Sequence, residues 1–132
     1  MSSQKLEQLR IWHDARLFVV EIYHLLRDNR DFGFKDQIQR AAVSIMNNIA
    51  EGSEYNSDAV FIRYLNIAKG SCSEVKSMLY LCEDLGYCTP EDRERLHEQL
   101  LKLTSGIYKI IQYLESSQNH NKHPERQSSV DR

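Results

Sequence analysis

Between Phe61 and Cys82 the apolar residues fall at gaps that alternate four and three: Phe61, Leu65, Ala68, Cys72, Val75, Leu79 and Cys82. A β-strand cannot use this spacing, because its side chains alternate faces with period two. An α-helix at 3.6 residues per turn lines all seven up on one stripe. A helix of about six turns with such a stripe must bury it against other helices, since alone it is only marginally stable in water. The fold of the whole chain follows from finding its partners.

Three further segments carry the same signal. The first runs from about Ile11 to Asp28, with Trp12, Ala15, Val19, Ile22 and Leu26 on its stripe. The second spans about Phe34 to Glu51, with Ile38, Ala42, Ile45 and Ile49. The third is the long helix itself, read from Asp58 to about Leu85, with Ser57 as N-cap and Gly86 as its stop. The fourth opens on Thr89-Pro90-Glu91-Asp92: threonine caps, proline sits where a missing N–H costs nothing, and the acids suit the helix's positive end. Its stripe is Leu96, Leu100, Leu103, Ile107, Ile110 and Leu114. From about Ser116 the chain is polar and aperiodic. The expected architecture is therefore all-α, an antiparallel four-helix bundle running up-down-up-down. Residues 1–117 form the domain, and residues 118–132 are read as a disordered polar tail.

Composition agrees and narrows the functional classes. The 132 residues are 41% hydrophobic and 27% charged, a globular balance, and only five glycines and two prolines leave few tight turns for an all-β fold. A formal net charge of −2 does not give the basic background of a strong non-specific nucleic-acid binder. Nothing resembles a signal peptide or a membrane span, and the three cysteines, Cys72, Cys82 and Cys88, read as reduced thiols. A cytoplasmic protein with no membrane association is expected.

One catalytic pattern needs weighing. Glu21-Ile-Tyr-His24 and Glu94-Arg-Leu-His97 share the Glu-x-x-His spacing that di-iron bundles place on two helices, with a further glutamate from each of the others. Position on the helix decides against a bundle-core enzyme of this type. Glu21 and His24 lie roughly 130° and 170° from the centre of their apolar stripe, and Glu94 and His97 roughly 160° and 100° from theirs. Glu74, the third-helix candidate, is also off the stripe. These groups read as surface charge, so no catalytic residue, metal or other cofactor is expected. Cys72 and Cys82 fall on the core stripe and read as packing residues. His120 and His123 lie in the polar tail, where Pro124 opposes the helix that metal-ligand spacing would require.

Other features point to contacts. The long helix has a second apolar row, Val60, Tyr64, Ile67, Met78, Leu81 and Leu85, wider than a single core needs. Val60, Tyr64, Ile67, Met78 and Leu81 are therefore candidate subunit-interface residues. Gly70-Ser71 in mid-helix reads as a place where a neighbouring helix comes close. Arg40, Arg63 and Lys69 are candidates for a nucleic-acid or partner surface, mixed with acids in one chain but multiplied by oligomerisation.

Several stretches taken together resemble a known family. These are LRIW (Leu9–Trp12), QIQRAAVSI (Gln37–Ile45), NIAEG (Asn48–Gly52), FIRYLNIAKGS (Phe61–Ser71) and LGY (Leu85–Tyr87). Their order and spacing are similar to the bacterial four-helix-bundle family of the 23S rRNA intervening-sequence protein, related to the accessory variability protein of diversity-generating retroelements. The resemblance spans about Leu9 to Leu114. It implies a ring-like homopentamer, and, from the accessory relative, a protein partner such as a reverse transcriptase together with RNA or DNA. Met46 stands where many members carry proline, so the second helix is expected to be straighter. The family's Asn48, Glu51 and Gly52 are read as a folding signature: an amide bonded at a helix junction, a carboxylate paired to a cation, and a left-handed turn.

Overall fold

A computed structural model of the chain describes Leu6 and residues 9–130, with side chains through Ser117. Four helices follow one another: α1 (Arg10–Leu25), α2 (Phe32–Ser53), α3 (Asp58–Asp84) and α4 (Pro90–Val130). They pack as α1 on α2, α2 on α3, α3 on α4, and α4 back on α1. With short connections this is the antiparallel up-down-up-down bundle. The α2–α3 seam is the most extensive and α1–α4 the least. The backbone of α4 continues past residue 117, where the sequence suggests an unstructured tail. Side chains from 118 onward and residues 131–132 lie outside the described residues, as do the tail histidines.

Local chemistry sets the helix ends. Asp31 caps α2, its Oδ1 accepting from Phe34 N at 3.2 Å, and Ser57 caps α3, its Oγ accepting from Val60 N at 3.2 Å. Thr89 caps α4 as its motif predicts, accepting from Asp92 N at 3.0 Å. At the end of α3, Gly86 takes a φ of +73°. Gly86 N donates to Glu83 O and Tyr87 N to Cys82 O, both at 2.9 Å. This pair of bonds is a Schellman motif, and glycine is required because the left-handed conformation crowds a Cβ.

Every buried side chain among the described residues is apolar. The stripes of α2 and α3 stand as read, and two others need correction. On α1 the buried set is Ile11, Ala15, Phe18 and Ile22, continued by Leu26, while Trp12 and Val19 are half-buried on its shoulder. Phe18-Val19-Val20 is a continuous apolar run, and only the position of the neighbouring helices selects which member points inward. The same ambiguity at Ile110-Ile111 resolves toward Ile111. Across Met46, α2 is uninterrupted.

Candidate functional site

The polar cluster at the end of α2 lies on the α2–α3 seam. Asn48 Nδ2 donates to Ser44 O at 2.8 Å and to Ser44 Oγ at 3.0 Å. Ser71 Oγ, from α3, donates to Ser44 Oγ at 2.9 Å. Asn48 and Ser71 are thus joined through one serine, and the amide serves a helix junction as the sequence suggests. Gly52 does something else. It lies inside α2 without a positive φ, and a Cβ there would sit 2.7 Å from Tyr64 Cβ and 2.8 Å from Phe61 Cδ1. Glycine is needed for close approach, not for a left-handed turn. Glu51 is exposed and enters no ion pair among the described residues.

The mid-helix glycine of α3 is also not what the sequence suggests. Gly70 is exposed, and a Cβ on it would meet nothing within 4 Å. Among the described residues no helix comes close to it; the close neighbour belongs to Ser71.

The second apolar row of α3 divides. Val60 and Tyr64 are half-buried and Met78 is 8% exposed, so Met78 is covered within the chain. Tyr64 lies over Gly52 and stacks on Tyr55 with ring centroids 5.6 Å apart. The Tyr55 hydroxyl raises the Tyr64 phenol's pKa above its ordinary value. Ile67 and Leu81 stay 49% and 45% exposed. With Arg63, Gly70, Glu74 and Ser77 they repeat the four-three spacing along a strip that is exposed throughout.

The three basic candidates are not gathered by one chain. Arg40 is bound to Asp36 by an ion pair of 2.8 Å that is 79% and 64% exposed, hence weak. Lys69 Nζ lies 5.1 Å from the Tyr108 ring of α4, on another seam. Arg63 is exposed on the α3 strip. Because Ser44 faces Ser71 and Gly52 faces Tyr64 across an antiparallel pair, Arg63 and Arg40 are separated by about 18 Å along the axis.

The two Glu-x-x-His motifs do not converge. Glu21 of α1 accepts from Arg95 of α4, and His24 is exposed. His97 is engaged on both ring nitrogens: Nε2 is 3.0 Å from Lys76 O and Nδ1 is 3.3 Å from Arg93 Nη1, which suits the Nε2–H tautomer. No group of three or more His, Cys, Asp or Glu among the described residues is placed to hold a metal ion.

Sequence reasoning missed the surroundings of His97. Arg93 Nε donates to Glu83 Oε1 at 2.7 Å, and its guanidinium lies 5.2 Å from the Tyr80 ring. Tyr80 meets His97 edge-on at 4.5 Å. The Glu83 carboxylate raises the Arg93 pKa further. Tyr80 and His97 border an α3–α4 hollow of about 560 Å³ whose lining also includes Cys72, Lys76 and Glu94. The partners come from two helices, so no short motif announces them. Also unannounced is a link between loops: Tyr87 Oη donates to Asp31 Oδ2 at 2.7 Å, tying the end of α3 to the cap of α2. That bond, with Phe34 N, lowers the Asp31 pKa, and the same bond raises that of Tyr87.

Burial keeps the thiols largely protonated. Burial raises the Cys72 pKa, and burial with a bond to Cys88 pushes Cys82 up to about 12.

A four-helix bundle with an apolar core and a serine–asparagine junction on its widest seam is the class these features define. Residues 7–109 match the 23S rRNA-intervening sequence protein family, and the chain belongs to that family. A crystal structure of a protein of unknown function from the S23 ribosomal protein family of Bacteroides thetaiotaomicron VPI-5482 is similar, with a TM-score of 0.71 and 30% identity. The match covers 76% of this chain and 97% of that one. No curated protein matches. No helix among the described residues is long and apolar enough to cross a membrane.

Proposed function

We propose that the chain is a non-enzymatic oligomeric adaptor that binds itself and a protein partner. The carrying observation is the exposed strip of α3. A mid-helix glycine costs about 1 kcal/mol relative to alanine, yet a Cβ on Gly70 would meet nothing within 4 Å among the described residues. It lies between Ile67 and Leu81, both half-exposed, so the strip suits a second subunit at close range. The number five rests on the family resemblance, as does a reverse transcriptase as the partner's class. Light scattering at micromolar concentration should give a mass several times that of one chain. A monomer would overturn the reading.

A second reading adds RNA or DNA, favoured by the exposed Arg63 on the same strip. Such binding would need the surfaces of several subunits, because one chain holds Arg40 and Lys69 apart from Arg63. It should weaken steeply with salt as phosphate counterions are displaced. The test is a salt titration of RNA and DNA binding, with wild type and an Arg40→Glu/Arg63→Glu variant. Tight binding indifferent to both salt and the substitutions would sink the electrostatic model.

The competing class is a bundle-core di-metal enzyme. The engagement of Glu21 by Arg95 and of His97 by Arg93 and Lys76 weighs against it. Stoichiometric iron, manganese or zinc in protein purified without chelators would revive it.

A further inference from the structure

The Schellman turn does more than end α3. Cys82 is the residue whose carbonyl receives Tyr87 N at 2.9 Å, so the turn folds the chain back on Cys82 and delivers Cys88 beside it. Cys82 has no exposed surface, and Cys88 is partly buried against the same core cluster. The two thiols lie near enough that each acts on the other's ionisation. Cys72, the remaining cysteine, is buried elsewhere on α3, where the Thr104 hydroxyl rather than a thiol acts on its ionisation.

We propose that Cys82 and Cys88 form a thiol pair that a low-molecular-weight disulfide, such as glutathione disulfide, converts to an intramolecular disulfide across the α3–α4 turn. The order of events follows from access. Cys88 is the more exposed thiol; its thiolate attacks one sulfur of glutathione disulfide, forming a mixed disulfide and releasing one glutathione thiolate. Cys82 then loses its proton and attacks Cys88 Sγ, forming the Cys82–Cys88 bond and releasing the second glutathione. Two protein thiols are oxidised, one small disulfide is reduced, and the two protons leave on two glutathione thiols. Burial of Cys82 does not block this step, because the turn that bonds Tyr87 N to Cys82 O brings its target to it.

Chemistry also sets the rate. Both thiols have pKa values above their ordinary value, chiefly through burial, so the thiolate is scarce near neutrality. Exchange should be slow at pH 7 and accelerate roughly tenfold per pH unit while the thiolate remains the minor form. The pair therefore responds to sustained oxidation, not to brief exposure.

The test incubates the full-length protein with glutathione disulfide at pH 7 and pH 8.5, quenches with acid, and measures intact mass. The expected product has lost the mass of two hydrogen atoms and carries no glutathione, and its peptide map joins Cys82 to Cys88. Cys72→Ser should behave like wild type. Cys88→Ser should not form the bond, and Cys82→Ser should stop at a stable glutathione adduct on Cys88. A wild-type protein that stays reduced, that accumulates the Cys88 adduct, or that links through Cys72 or between chains would overturn the proposal. If a serine variant fails to fold, the peptide map of the wild type still decides.

Discussion

Two glycines show how differently the same residue can be used. At Gly52 the backbone of α2 comes so near α3 that an added methyl would meet Tyr64 and Phe61 below 3 Å. Neither neighbour offers a flexible tip at that distance, so the helices must part. Gly52→Ala should lower stability by about 1–3 kcal/mol, the cost of an overpacked core, read as a reduced urea midpoint. Gly70 faces open space in the isolated chain. There an alanine gains only its better helix propensity, so Gly70→Ala should raise the stability of dilute, monomeric protein by about 0.5–1 kcal/mol. Opposite signs from the same substitution are the expected result. Equal effects would mean that the α2–α3 seam yields more easily than its distances imply.

At the scale of elements, α2 is held at its start by a contact from far along the chain. Asp31 both caps α2 and accepts from Tyr87, while Phe34 packs edge-on against the Tyr87 ring at 5.4 Å. The Asp31 pKa lies below its ordinary 3.8 when folded, so its contribution is complete above that value and is lost as pH falls through the lower folded value. The Tyr87 pKa is raised from 10.0, so its share is complete below 10.0 and is lost as pH rises through the folded value. Tyr87→Phe should therefore lower the melting temperature at neutral pH, with the difference closing in acid. A gap that persists with Asp31 protonated would mean that the hydroxyl stabilises the fold independently of the carboxylate's charge. The LGY stretch announces the turn through its glycine, but nothing nearby in sequence shows that the tyrosine serves a helix fifty-odd residues earlier. The general lesson is the same at Phe18 and Ile111. Periodicity fixes that a helix has an inner face; where apolar residues run consecutively, the packing of its neighbours fixes which residue points inward. The caps at Ser57 and Thr89 were legible because they are local. The seam chemistry of Ser44 with Ser71, and of Arg93 with Tyr80 and His97, was not, because its partners meet only after folding.

For the whole molecule, the question is whether a second subunit covers α3. The seam residues Met78 and Tyr64 are already occupied within the chain, so substituting them would disturb the bundle and assembly together. Ile67 separates the two effects. Ile67→Glu should reduce the mass seen by light scattering to that of one chain and leave the helical circular dichroism unchanged, since exposed substitutions typically shift stability by no more than about 0.5 kcal/mol. Retained assembly would move the interface elsewhere. The least extensive seam, α1–α4, offers one alternative: Gly106 admits Ile11 at close range there, and Leu17 and Leu101 remain exposed along a groove of about 760 Å³.

The serine–serine bond between α2 and α3 has a consequence for uniqueness of the fold. An interior made only of aliphatic and aromatic groups is nearly indifferent to one helix sliding along another by a turn. Such a shift, about 5.4 Å, would break the Ser44–Ser71 bond and drive the α3 side chains away from the notch at Gly52. The polar contact and the notch thus act as a vernier, selecting one alignment among several of similar hydrophobic energy. Replacing Ser44 and Ser71 by alanine would then blur the molecule more than weaken it, giving broad amide resonances from a bundle that melts at nearly the same temperature.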